Sequence, residues 1–238
     1  MRRSRAEFAH AADILRKQMV VQMPNISDRA AQSQKLNPVA QRLLAAATTE
    51  FQRYGFSGAS ISRIIDAAEC NVRMIYHYFG NKLGLYRACI EQVYEQLRQA
   101  EAEAIFWDLP PEQAIAELTR FTFDYMEAHP EFQGMMRIEN MSDGIHVREL
   151  TAVNKRAETL FHAIEKVLDR GVAGDVFAHR ADPAQLYLSI LGLATIHIAN
   201  RHTMGMVLGL DLSAPDFLVA RREEVVRTIL ASLKSPAV

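Results

Sequence analysis

Cysteine is scarce in this chain, and long apolar runs are missing altogether. Only Cys70 and Cys89 occur in 238 residues, too few for a disulfide framework. In a reducing compartment such thiols act as small apolar side chains, so both are expected inside. No run of ~18 apolar residues is present to cross a bilayer. The basic start, MRRSR, lacks a following apolar segment because Arg16 and Lys17 interrupt it. A cytoplasmic protein without a membrane segment is expected. The histidines His129, His146, His162, His179, His197 and His202 lack metal-site spacing, and neither a Gly-rich phosphate loop nor a nucleophile elbow is found. These absences predict no enzyme, no cofactor and no metal.

What is present is a charge asymmetry. The net charge of −1 conceals residues 1–90, with 13 Lys and Arg against 6 Asp and Glu, and residues 91–238, with 14 against 22. A basic first third on an acidic remainder points to a polyanion as partner of the N-terminal part. A hydrophobic content of 49% is enough for a real core.

The periodicity predicts helices throughout. Residues 1–37 form an arm set apart by Pro24-Asn25 and a polar stretch. Its Arg2, Arg3 and Arg5 can enter a minor groove or belong to a loose tail. From Pro38, apolar Val39, Leu43, Leu44, Ala47 and Phe51 recur every three or four residues up to Gly55. Ser60 is a natural N-cap for a second helix, with Arg63 at its third position and Ile61, Ile64, Ile65 and Ala68 on the apolar face. A break at Glu69-Cys70-Asn71 leads into a third helix, Val72–Phe79, which makes a helix-turn-helix. A long helix follows from Lys82 to about Phe106. Further helices are expected at about 112–128, 131–141, 147–170, 184–203 and 215–233, divided by Pro, Gly and Asp-rich stops. No segment alternates with period two, so the fold class is all-α.

The stretch NVRMIYHYFGNK, residues 71–82, carries the chemistry. Ile75 and Phe79 share one helix face, while Asn71, Arg73, Met74 and His77 point elsewhere, flanked by Tyr76, Tyr78 and Lys82. A helix fits the major groove of B-DNA, where Arg forks onto guanine and Asn onto adenine. Tyr hydroxyls and Lys suit phosphates, which set position rather than sequence. Ser60, Arg63, Asn71, Arg73, Met74, Tyr76, His77 and Lys82 are the candidate DNA-binding residues.

Residues 40–86 resemble the N-terminal domain of TetR/AcrR-family transcriptional regulators. The likeness rests on the Tyr54-Gly55-Phe56 turn, the cap at Ser60, a loose Ile-Ala-x-x-Ala match at Ile65-Asp66-Ala67-Ala68, the Ile75-Tyr76-His77-Tyr78-Phe79 run and the following Lys82. Two positions depart from the pattern. Glu69 stands where the family usually has Gly, and Arg73-Met74 where it often has a small hydroxyl or Gly, so the operator sequence cannot be borrowed. The resemblance implies a helix-turn-helix domain at 38–84 and a helical effector-binding and dimerisation domain at 85–238. It further implies a double-stranded, palindromic DNA operator and a small-molecule effector between the helices of the second domain. Polar or large groups on otherwise apolar helices are candidates to line that pocket: Phe121, Tyr125, Met126, Met136, Glu139, Asn140, His162, His197 and Asn200. The last two long helices are the expected homodimer surface. Their stripes are Leu186, Ile190, Leu193 and Ala194, and Phe217, Val225, Ile229 and Leu233; alternatively these close the chain's own core. The function implied is a repressor released from DNA by its effector. An activator or effector-independent binder of the same fold, and less readily an all-α enzyme, stay open as alternatives.

Overall fold

Pro38 opens the first helix, α1 (Pro38–Gly58), and Gly55 bends it: φ 69°, ψ 175° there is a conformation open in practice only to glycine. The computed structural model describes residues 37–104 and 106–235, so the basic arm expected at 1–37 lies almost wholly outside the described residues. Two short helices follow, α2 (Ile61–Ala67) and α3 (Arg73–Phe79). Next come the long α4 (Lys82–Glu103), α5 (Pro111–Ala128) and α6 (Pro130–Met141). A 3-10 turn at Val147–Glu149 precedes α7 (Thr151–Ala173). The remaining helices are α8 (Pro183–Ala199), α9 (Arg201–Leu208) and α10 (Pro215–Lys234). No strand occurs among the described residues. Proline starts α5, α6, α8 and α10, where its missing N–H would have had no helical partner.

The first core gathers Leu43, Leu44, Ala47 and Phe51 of α1 with Ile64, Ile75, Leu85 and Cys89, all buried. Cys89 is inside as expected, and burial pushes its thiol up to about 12; Cys70 is only half-buried. The second core is built on α5, which packs against α7, α8 and α10. Ile115, Leu118 and Phe123 meet Ile164 and Leu168 of α7, Leu186, Tyr187 and Ile190 of α8, and Val225, Ile229 and Leu233 of α10. Each such side chain contributes about 1.5–3 kcal/mol by leaving water. α4 joins the two cores, packing on α3 at its start and on α6 and α7 further along.

Three expectations shift. The stripe residues Leu186, Ile190, Ala194, Val225, Ile229 and Leu233 close the chain's own interior rather than face a second copy. The large apolar side chains left exposed on these helices are Leu188, Ile196 and Val219. The helix expected at 184–203 breaks at Asn200, whose side-chain amide donates to the Ile196 carbonyl at 3.1 Å and competes with the helical ladder. The helix expected from 147 begins at Thr151, after the 3-10 turn.

Candidate nucleic-acid interface

Ile75, 1% exposed, anchors α3 to the first core, so the opposite side of this short helix must face out. Asn71, Arg73, Tyr76 and His77 are exposed there, and Met74 is half-buried beside them. Tyr76 leaves 62% of its surface in solvent, a large ring with no core role. The His77 and Tyr78 rings meet edge to face at 4.7 Å, which steadies the imidazole. The Asn71 side-chain oxygen accepts the Arg73 backbone N–H at 2.9 Å and starts the helix.

The turn between α2 and α3 is held from α1, where Arg42 Nε donates to the Ala68 carbonyl at 3.1 Å. Glu69 follows at φ +50°. A left-handed residue is therefore required where the family pattern places glycine, and a glutamate adopts it at a cost. At the other end of α3, a Cβ on Gly84 would stand 1.9 Å from the Phe79 carbonyl oxygen. Only glycine lets α4 begin so close behind α3.

Two of the expected DNA ligands have internal partners that the sequence did not reveal. Arg63 Nε donates to the Glu50 carboxylate at 2.8 Å, its Nη2 donates to the Gly58 carbonyl at 3.0 Å, and its guanidinium lies 4.5 Å over the Tyr54 ring. The same Glu50 oxygen accepts the Ser60 N–H at 2.8 Å. The Arg63 hydrogen bond outweighs burial and, with the Ser60 N–H, holds the Glu50 carboxyl below its ordinary range. Lys82 Nζ donates to the Ala59 carbonyl at 2.7 Å and sits 5.1 Å over Phe56. The Ser60 hydroxyl caps α2, accepting from the Arg63 N–H at 3.5 Å. Arg63 and Lys82 thus fasten the loop before α2 to its neighbours, and the groups left freest on this surface are Asn71, Arg73, Tyr76 and His77.

A short helix pair with an outward polar second helix recurs in proteins of known sequence. Residues 43–89 match the family described as bacterial regulatory proteins, tetR family, and residues 111–229 match a tetracyclin repressor-like C-terminal domain. The HTH-type transcriptional repressor NicS of Pseudomonas putida is 33% identical over 181 residues, covering 76% of this chain and 85% of that protein. The chain belongs to the TetR family.

Other TetR-type proteins agree. The HTH-type transcriptional repressor SCO4008 of Streptomyces coelicolor is 34% identical over 137 residues, 56% of this chain and 67% of its own length. The structure of PfmR, a TetR family transcriptional regulator from Thermus thermophilus, superposes with a TM-score of 0.59 at 20% identity, over 83% of this chain and 99% of that one, a likeness of fold. Membership makes the chain a regulatory protein rather than an enzyme. No described helix is long and apolar enough to cross a membrane, and no cluster of three or more His, Cys, Asp or Glu among the described residues could hold a metal.

The nine residues expected to line a TetR effector pocket have differing surroundings. Asn140 and His162 are exposed, the latter 3.3 Å from Glu165. Asn200 ends α8. His197 is buried, stacked on Phe123 at 4.8 Å and bonded to Glu127 at 2.8 Å. Met126 is buried and accepts a contact from Gln133 Nε2 at 3.1 Å, while Met136 is half-buried. Tyr125 stacks on His129 at 4.0 Å, with the Phe121 ring 5.8 Å away. Glu139 is fully engaged: it accepts the His146 and Val147 N–H groups at 2.6 and 3.0 Å and the Tyr86 hydroxyl at 3.0 Å, and pairs with His146 Nδ1 at 3.1 Å. An open groove of about 500 Å³ beside Pro110, Pro111, Ala116, Arg120, Val226 and Leu230 involves none of the nine. Overlooked in the sequence were Arg98, Glu101 and Tyr187, which the structure joins inside the body.

Proposed function

We propose that this TetR-family chain is a one-component repressor: residues 38–84 bind an operator, and residues 85–238 dimerise and respond to a small molecule. The observation that carries the DNA-binding half is the exposed Asn71, Arg73, Tyr76 and His77 surface on a helix fixed from behind by Ile75. Nothing in the chain's own core needs those side chains, and their chemistry suits base edges and phosphates. Repression is the sense favoured by the names of NicS and SCO4008. A twofold dimer through α8 and α10 carries two α3 helices, and a palindromic operator with half-sites about one helical turn or a multiple apart is the geometry that matches it. An effector that prefers one spacing of the heads over the other shifts operator affinity by its differential affinity for the two. The protein then works in the cytoplasm, where chromosome and metabolites meet it.

Selection of duplexes from a random pool by the purified chain, followed by mobility shifts across salt, tests this reading. An inverted repeat should emerge, and its affinity should fall steeply with salt, by roughly 0.9 in log–log slope per phosphate neutralised. A pool that yields no enriched sequence would defeat the proposal.

A further inference from the structure

An ion pair lies inside the body, between α4 and α8. Arg98 and Glu101 project from one face of α4, with side chains 13% and 4% exposed. Arg98 Nη1 donates to Glu101 Oε2 and to the Tyr187 hydroxyl, the latter at 3.3 Å; that hydroxyl donates to Glu101 Oε1 at 2.9 Å. No other Arg–carboxylate pair among the described residues is as enclosed on both sides. Stability is a poor reason for such a pair, because well-packed apolar replacements are often as stable or more so. The guanidinium is also not fully used here: Glu101 and Tyr187 engage Nη1 and leave Nε and Nη2. Around it stand rings. Its Cζ lies 5.6 Å over Tyr187, and Phe161 meets Tyr187 edge to face at 6.0 Å.

We infer, resting on the effector-controlled reading above, that Arg98 anchors the effector and that the effector is a small monocarboxylate with a flat or slender apolar body. Its carboxylate takes the guanidinium edge that Glu101 leaves, and its body lies against the Phe161 and Tyr187 rings. A buried guanidinium donates best to an anion, in paired bonds. The site also sits on α4, the helix that begins under the DNA-binding head at Lys82, so rearranging Arg98 and Glu101 acts on the element that carries the head.

Two carboxylates on one buried guanidinium cannot both stay ionised cheaply. Glu101 is the one to accept a proton: burial pushes its carboxyl above the ordinary range, against the lowering effect of Arg98 and Tyr187. Two further phenols among the described residues act on the pair: that of Tyr125 of α5, pushed up to about 12 by burial and then by Glu131 and Glu101 with Arg98 opposing, and that of Tyr94 of α4, pushed up by burial with Arg98 opposing. Tyr125 and Tyr187 therefore stay neutral, α7 presents the apolar Phe161, and binding takes up one proton at Glu101.

Trp107, the one tryptophan, donates Nε1–H to the Glu101 carbonyl at 3.1 Å and reports on the site by fluorescence. The DNA-free chain is titrated with benzoate, phenylacetate and hexanoate, and with the three matching carboxamides. At least one acid should quench or shift Trp107, with its amide about tenfold weaker or more. Its affinity should fall as pH rises, toward about tenfold per pH unit, the slope of one linked proton. Arg98→Met should lose acid binding by about tenfold or more, with circular dichroism unchanged. Glu101→Gln should bind the acid more tightly at the upper pH and lose the slope, a gain that misfolding cannot mimic. Acids and amides binding alike, a flat pH profile in the parent chain, no gain in Glu101→Gln, or no response to any acid at millimolar concentration would each overturn the inference. Because DNA is absent, a chain that binds the acid but selects no operator sinks the repressor reading and leaves this site standing; the converse result does the opposite.

Discussion

The Tyr86 hydroxyl, near the start of the helix that leaves the DNA-binding head, donates to the buried Glu139 carboxylate at 3.0 Å. The Tyr86 ring is packed edge to face with Phe51 of the head at 4.8 Å and with His146 of the body at 4.9 Å. Burial works to raise the Glu139 carboxyl, but the N–H groups of Val147 and His146, the His146 ring and Tyr86 together hold it below the ordinary range. A depressed folded-state value means stability that is present above the unfolded pKa of about 4.3 and is lost as pH falls through the folded value. Glu139→Gln should therefore cost about 2 kcal/mol near neutral pH. The gap from the parent chain should close on acidification below about pH 4.3. Urea unfolding at a series of pH values measures it, and a gap that stays constant with pH removes the charge from the explanation.

Arg73 and Lys82 should fail in different ways. Arg73 is exposed on α3 and no internal bond holds its guanidinium among the interactions described above, so Arg73→Ala should relax base preference and cost about 1–3 kcal/mol on the selected operator. Lys82 also holds the Ala59 carbonyl. Lys82→Ala should weaken all duplexes alike and, in addition, lower head stability by about 1 kcal/mol. Mobility shifts on matched and scrambled duplexes, alongside thermal melts, separate the two outcomes.

Glu69 sits at φ +50°, a left-handed conformation that costs a side-chain-bearing residue about 1–2 kcal/mol. Glycine forgoes that cost but gains freedom in the unfolded chain. Glu69→Gly should thus stabilise by about 1 kcal/mol or a little less. A rise in the urea midpoint with an unchanged slope is the expected record; a fall would mean the glutamate makes compensating contacts in the turn.

Leu188 and Ile190 stand two residues apart on α8 with opposite fates: Leu188 is 63% exposed and Ile190 is fully buried. If α8 and α10 form the dimer surface, Leu188→Asp should shift the chain toward monomer in sedimentation while changing its folded secondary structure little. Ile190→Ala should instead leave a cavity and cost about 2–5 kcal/mol. A Leu188→Asp chain that remains dimeric moves the interface elsewhere.

The head was legible because its signals are local. Ser60, Ile75, the Gly55 bend and the polar residues of α3 fall within about 25 residues and obey capping and periodicity rules. The body was less legible. Arg98 and Glu101 stand three apart on a helix and look like an ordinary solvated pair; only the fold brings Tyr187, 86 residues beyond Glu101, to close them in. Asn140 and His162 are polar groups on amphipathic helices, and the structure leaves both exposed. The dimer stripe misled because periodicity marks the buried face of a helix but not the chain that buries it. In a three-deep packing of α5, α8 and α10, the strongest stripe is the one facing inward.

The turn that leads into α3 shapes what Asn71 can say to a base. Its amide oxygen already receives the Arg73 N–H, so one oxygen lone pair and the two amide hydrogens remain to offer. The two-point handshake with adenine needs both an acceptor and a donor, so it would have to share the oxygen that already serves the helix. Facing a groove, its free amide hydrogens suit the acceptor edges of guanine and thymine or a phosphate, whereas reading adenine asks the oxygen to hold two donors at once.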